Sequence, residues 1–484
     1  MLTSTANRDA RFSFWPRVRE FAVPASMIET ATARRHAGDW AGACAAAGFD
    51  VDFRLRDVAR THGRHVAARL RADLRQLAPD LLRWHMPRIA PDGLLRPGLT
   101  VALARYGPQG QAEAAGQVGA AGRDEASPVY LVARTAPAWA DSGQRISLAL
   151  WDGSLPTAGD RRHPHPRPDR RFRFDLHRHL WDARRTDELR VRSGAEGPPA
   201  DSGLELPAAM PQGHHCAVDR WPAEAAILLG AEGPSTGSAD TGGTFTVRLA
   251  SRHRLVLDLV PDRDRHGDGG APRLRIANTP PADASALPVL PDAATWVPPD
   301  LELIRSGSIA ARQLHPLVAA ALLPDRPPAG GPPPSQDRAG QPRLVECRGA
   351  QHRIGLVDGV LVPLDHDPAE IRREELLVAL TGTPLPCLRA VDEAHRRPDC
   401  LTGVRERLDH GDTAGALAVV EGLLGREAVL RTGALRDELE AAARRRITYG
   451  LYRSGLIGTS ADSSLPGPRR PRHHRSHPRL TTAR

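Results

Sequence analysis

Around Leu99 the spacing of apolar side chains changes, and that change restricts the chain to a mixed fold. Before it, Val66, Leu70, Leu74 and Leu77 recur every three or four positions with Arg64, Arg69, Arg71 and Arg75 between them. That is one apolar helix face. After it, Leu99, Val101 and Leu103 alternate with Thr100, Ala102 and Ala104, the period of a strand with one buried face. Residues 129–132 and 146–151 continue as strands, as do Phe172 and Phe174 among arginines, and 245–249 with 255–259 read as a hairpin. The expectation is an α+β chain.

Its units follow from the same reading. Residues 1–24 form an N-terminal segment whose Phe12, Phe14, Trp15, Val18 and Phe21 dock on a core. A helical unit spans 25–98, starting with a capping box at Ser26 and Glu29 and a helix to residue 36. A mainly antiparallel β unit spans 99–277, with loops over 107–127, 194–203 and 230–243. Residues 278–342 read as a Pro-rich linker with short helices, densest in proline over 324–342. A hairpin-plus-helices domain follows over 343–457, in which Asp358-Gly359 predicts a type I′ turn. Residues 458–484 are polar and rich in Pro, Arg and His, the composition of a disordered basic tail.

A net charge of +9 would ordinarily point to an anionic partner. The chain holds no lysine and only Asn7 and Asn278 as asparagines, so all 66 basic residues are arginine. A bias of that kind looks like the composition of a high-GC bacterial genome, and it weakens the inference from charge. Aromatics at 4% leave few platforms for stacking bases. Five scattered cysteines do not make a disulfide framework. No signal-type run opens the sequence and no window has the length of a membrane span, so a cytoplasmic protein without a membrane partner is expected. The absence of lysine excludes a phosphate-loop lysine and a lysine Schiff base. Neither a Gly-x-Ser-x-Gly elbow nor a Gly-x-Gly-x-x-Gly after a strand is present. The expectation leans away from an enzyme and implies no cofactor.

Gly38-Asp39-Trp40-Ala41-Gly42-Ala43 is echoed by Gly411-Asp412-Thr413-Ala414-Gly415-Ala416. Glycine leaves one helix, aspartate accepts amide hydrogens at the start of the next, and the small residue lies where helices touch. These two helix starts resemble one half of a tetratricopeptide unit, over about fourteen residues each time and without that family's repetition. The resemblance implies a helical hairpin with an interaction role.

Asp175, His177 and His179 would put three metal-ligand side chains on one face if a strand from Arg170 continues. His163-Pro164-His165-Pro166, His214-His215-Cys216 and the set Cys387, His395 and Cys400 also use ligand types, without a Cys-x-x-Cys pair. Asp365-His366-Asp367 offers acid/base groups but reads equally as a turn and helix start. Arg444, Arg445, Arg446, Tyr449, Tyr452 and Arg453 combine cations with aromatics, as single-stranded nucleic-acid sites do. The competing picture is a terminal helix in which Ile447 and Leu451 pack while the arginines face water. In order, the readings are a non-enzymatic interaction or adaptor subunit of a bacterial multiprotein assembly, with other proteins as partners, then a nucleic-acid-binding protein, then a metal-dependent enzyme.

Overall fold

The computed structural model of the protein describes residues 14–107, 128–153, 163–196, 215–232, 243–249, 253–260, 273–277, 286–324, 342–382 and 384–456. Phe12, His214, most of the three expected loops, the densest Pro-rich run and the basic tail lie outside the described residues.

The first stretch contains α1 (Phe14–Phe21), α2 (Ala25–His36), α3 (Trp40–Ala46), β1 (Phe49–Val51), α4 (Leu55–Thr61), α5 (Arg64–Gln76) and α6 (Pro79–His85). α1 docks through Phe14 and Val18. Ser26 does not cap α2. Pro24 holds the N-cap position at φ −65°, so the helix begins two residues earlier and Ser26 lies inside its first turn. The Gly-Asp starts form as the sequence predicts. Gly38 has φ +77° and the Asp39 carboxylate accepts from the Gly42 amide at 2.8 Å. Gly411 has φ +90° and Asp412 accepts from Gly415 at 2.9 Å. Arg34 and Arg407, each five residues earlier, donate to the capping carboxylates at 3.3 and 3.2 Å. A Cβ on Gly42 or Gly415 would stand 2.0 or 2.1 Å from Oδ2 of the capping carboxylate, so the later glycine of each block is what admits the carboxylate.

β2 (Arg88–Ile89) and β3 (Leu94–Leu95) form a small ribbon, followed by β4 (Thr100–Tyr106), β5 (Val129–Thr135) and β6 (Ile146–Trp151). The main sheet has the order β1-β6-β5-β4, antiparallel except that β1 runs parallel to β6. One core extends from Phe14 to Leu322, so the helical and β stretches share a single body. Residues 170–174 are not a strand. Phe172 and Phe174 are buried, but turns surround them and only Arg173 bridges to Ala102.

α7 (Glu188–Arg192) leads to a satellite unit of α8 (Trp221–Glu232), β7 (Thr244–Arg248), β8 (Arg254–Val260) and β9 (Arg273–Ile276). Its antiparallel sheet pairs Phe245 with Leu257, as the hairpin pattern predicts, over a second core around Trp221 and Leu290. α9 (Asp292–Thr295), α10 (Pro299–Arg305) and α11 (Pro316–Leu322) come next. They strap onto the main core through Leu303, Leu314 and Val318. Pro299 and Pro316 open helices, where a missing N–H costs nothing. Asp300 accepts Arg19 Nε and Nη2 at 2.8 and 3.0 Å and Trp84 Nε1 at 3.0 Å, all buried. Breaking such a pair costs about 3–5 kcal/mol.

The last stretch contains β10 (Arg343–Cys347), β11 (Ala350–Val357), β12 (Val360–Pro363), α12 (Pro368–Thr381), α13 (Pro386–Arg396), α14 (Leu401–His410), α15 (Thr413–Leu424) and α16 (Ala434–Ser454). Asp358 and Gly359 have φ +49° and +75°, the two positive values of a type I′ turn. A third core forms around Val404, Leu408, Ala416, Leu424 and Leu435. Arg83 ties this stretch to the main body, donating to the carbonyls of Ala22, Gln144 and His410 at 2.8, 2.6 and 2.8 Å. Among the described residues no helix is long and apolar enough to cross a membrane.

Candidate functional site

A cleft of about 710 Å³ opens between the end of β1, α4, strands β5 and β6, and the last turns of α16. Asp50 and Asp52 alternate along the extended chain and so project to the same side. Asp50 takes a bidentate pair from Arg145 at 3.0 and 2.8 Å and a hydrogen bond from the Tyr449 hydroxyl at 2.7 Å. Burial works to raise its carboxyl, but these donors outweigh it and hold the group below the ordinary carboxylate range. Asp52 pairs with Arg453 at 2.5 Å, yet burial prevails there and its carboxyl is raised. Two neighbouring carboxylates are thus pushed apart: Asp50 keeps its charge against Arg145 and Tyr449, while Asp52, which lines the cleft, is better able to accept a proton. His62 faces Asp152 at 4.0 Å. His163 is buried, donating from Nε2 to the Thr135 carbonyl and accepting the His165 amide at Nδ1. Burial pushes it down to about 4.

The arginine and tyrosine candidates of α16 divide between this cleft and the surface. Tyr449 is buried and bonded to Asp50, Tyr452 packs edge-on against Trp139, and Arg453 holds Asp52. Arg445 reaches Asp409 at 3.3 Å. Arg444 and Arg446 are exposed, Arg444 lying 3.6 Å from Glu440. Ile447 does not pack: it is 64% exposed, and Leu435, Ala442 and Tyr449, seven residues apart, make the buried face.

Asp175, His177 and His179 fall in a turn and a short 3-10 helix, where the two imidazoles touch but the three side chains do not converge as ligands. Arg173 grips the Asp175 carboxylate at 2.9 Å. His177 Nε2 lies 3.2 Å from Glu224 Oε2, which Arg192 also holds at 2.6 Å. Burial would raise Glu224, but hydrogen bonds from His177 and Arg192 prevail and bring it to about 2. Sequence spacing gave no sign of Glu224, which lies 47 positions beyond His177. His179 rests edge-on against the His177 ring.

Among the described residues one group of three metal-ligand side chains converges: Cys347, His366 and Cys387, with donor atoms within 4.8 Å of one another. Of the set Cys387, His395 and Cys400, only Cys387 belongs to it. The flanking Asp365 pairs with Arg353, and Asp367 caps α12 through the Ala369 amide. Burial and the neighbouring Cys347 hold the Cys387 thiol up at about 11.

The chain matches no family model, no curated protein and no solved structure.

One further surface stands out. Leu376, Leu377 and Leu380 on α12 are 70%, 47% and 84% exposed, on one side of the helix. Arg348 tethers the opposite end of that helix through Glu370 and Glu374 at 2.6 and 2.5 Å.

Proposed function

We propose that the chain is an interaction subunit of a bacterial, cytoplasmic multiprotein assembly, and that α12 is the element it presents to a protein partner. The observation that carries this reading is the leucine face of α12, held out by the Arg348 pairs with three large apolar side chains in water. An exposed apolar helix face of this kind is recognised by a groove in another protein, with Leu376 and Leu380, four residues apart, as anchors. The two Gly-Asp helical hairpins, which resemble half-units of tetratricopeptide repeats, support a role in assembly. The nucleic-acid reading has less support, because Tyr449, Arg445 and Arg453 are spent inside the molecule.

Affinity purification of the tagged chain from its host, beside a Leu376→Glu/Leu380→Glu variant, tests the proposal. The same partner should be recovered stoichiometrically with the wild type and lost with the folded variant. Recovery of an identical set of proteins with both, or of the chain alone, sinks it.

The cleft favours a second reading, a small polar ligand held between Asp52, His62 and Arg453. A thermal-shift screen of small anions, amines and zwitterions would find a stabilising class that Asp52→Asn no longer recognises. A flat screen removes this reading.

A further inference from the structure

Strand β10 ends at Cys347, the segment after β12 carries His366, and the first turn of α13 carries Cys387. Eighteen residues separate the first two and twenty the last two, so no short motif announces them. Both cysteines are fully buried and the His366 side chain is 3% exposed. Two imidazole nitrogens there lack any partner: His366 Nε2, and Nδ1 of His352, whose ring stacks on His366 with centroids 4.3 Å apart. Leaving a polar atom buried and unpartnered costs about 1–3 kcal/mol, so two of them beside two thiols ask for a ligand. Behind the ring, Glu370 Oε2 stands 3.5 Å from His366 Nδ1. A carboxylate on one ring nitrogen presents the other, with its lone pair, to a cation.

We propose that Cys347, His366 and Cys387 bind a zinc ion, and that this centre pins α13 to the end of the β10-β11-β12 sheet. Two thiolates and imidazole form the donor set that zinc selects over hard cations. Tetrahedral bonds of about 2.3 Å to sulfur and 2.0 Å to nitrogen set donors roughly 3.5–3.8 Å apart. The present spread, within 4.8 Å, closes to that by small side-chain rotations. On binding, each thiol releases its proton to water as its sulfur–zinc bond forms, and nothing is oxidised or reduced. The local packing explains the need. The cluster beside the site has only Cys347, Leu385 and Cys387 buried, with Val345 and Leu388 against it. A sub-core of that size gains its order from a metal.

Metal analysis of the full chain, purified under reductant and dialysed against zinc-buffered solution, tests this. About one zinc per chain is expected, and Co²⁺ in its place should give the visible bands of a tetrahedral thiolate site. Cys347→Ser, Cys387→Ser and His366→Ala should each weaken zinc binding at least tenfold. If the cysteine variants do not fold, chelator applied to the wild type should lower its melting temperature and added zinc should restore it. Wild type without stoichiometric zinc, cysteine variants that bind as tightly as wild type, or a Cys347–Cys387 disulfide in the peptide map would each overturn the centre.

Discussion

The Arg83 guanidinium and the His410 carbonyl meet at 2.8 Å although 327 positions separate them in the chain. Arg83 is buried and its partners are carbonyls, those of Ala22 and His410 lying at the C-terminal ends of α1 and α14, where the helix dipole is negative. Burial lowers the guanidinium to about 10, so it stays charged at neutral pH. Arg83→Met removes the charge and leaves three carbonyls without their donor. It should cost about 3–5 kcal/mol in chemical denaturation and speed hydrogen exchange in α14 first. Lysine should rescue only part, since one ammonium cannot span the three acceptors that the guanidinium fork reaches.

The duplicated helix starts allow a matched experiment. Alanine at Gly38 meets nothing within 4 Å and bears only the strain of φ +77°. At Gly411 a Cβ would also lie 2.6 Å from the Gly143 carbonyl. Gly38→Ala should therefore cost about 1 kcal/mol and Gly411→Ala at least twice that. Asp39→Ala and Asp412→Ala remove one cap each and should cost about 1 kcal/mol apiece. Equal thermal shifts for the two glycine variants would show that the Gly411 turn does not press on the body.

Stability should fall on mild acidification. Burial lowers His85 and His163 to about 4 and His410 to about 3 from an ordinary value of 6.5. Below pH 6.5 the unfolded chain binds protons that these folded imidazoles refuse. Stability is thus complete above that pH and lost as pH drops through the folded values. His163→Gln keeps a donor and an acceptor without titrating, and should remove a loss on the order of 3 kcal/mol between pH 6.5 and 4. Glu224, depressed from 4.5 to about 2, acts in a lower window. Its contribution is present above pH 4.5 and disappears towards pH 2, so Glu224→Gln should flatten only that acid limb. Urea midpoints measured from pH 7 to 2 separate the two.

Local instructions were legible in the chain and long-range ones were not. Asp358-Gly359 and the two Gly-Asp blocks act within a few residues, because backbone angles and caps are decided there. β1 pairs with β6 across nearly a hundred positions, and a three-residue strand carries no signal of its partner. Residues 278–342 read as a Pro-rich linker with short helices, and α10 and α11 open there at Pro299 and Pro316, but their buried Asp300 and Val318 declare themselves only once Arg19 and the core are in place. Cys347, His366 and Cys387 come from three elements, so spacing hid them while geometry unites them. The Asp175, His177 and His179 grouping rested on a strand that gives way to turns after the bridge at Arg173.

The central claim, that α12 is the partner-binding element, is tested most directly by hydrogen exchange on the complex isolated from the native host, compared with the free chain. Amides of residues 368–381 should become protected when the partner is bound, more than those of any other exposed helix, and Leu376→Glu/Leu380→Glu should abolish the difference. Exchange over 368–381 that is the same in free and bound protein would contradict it.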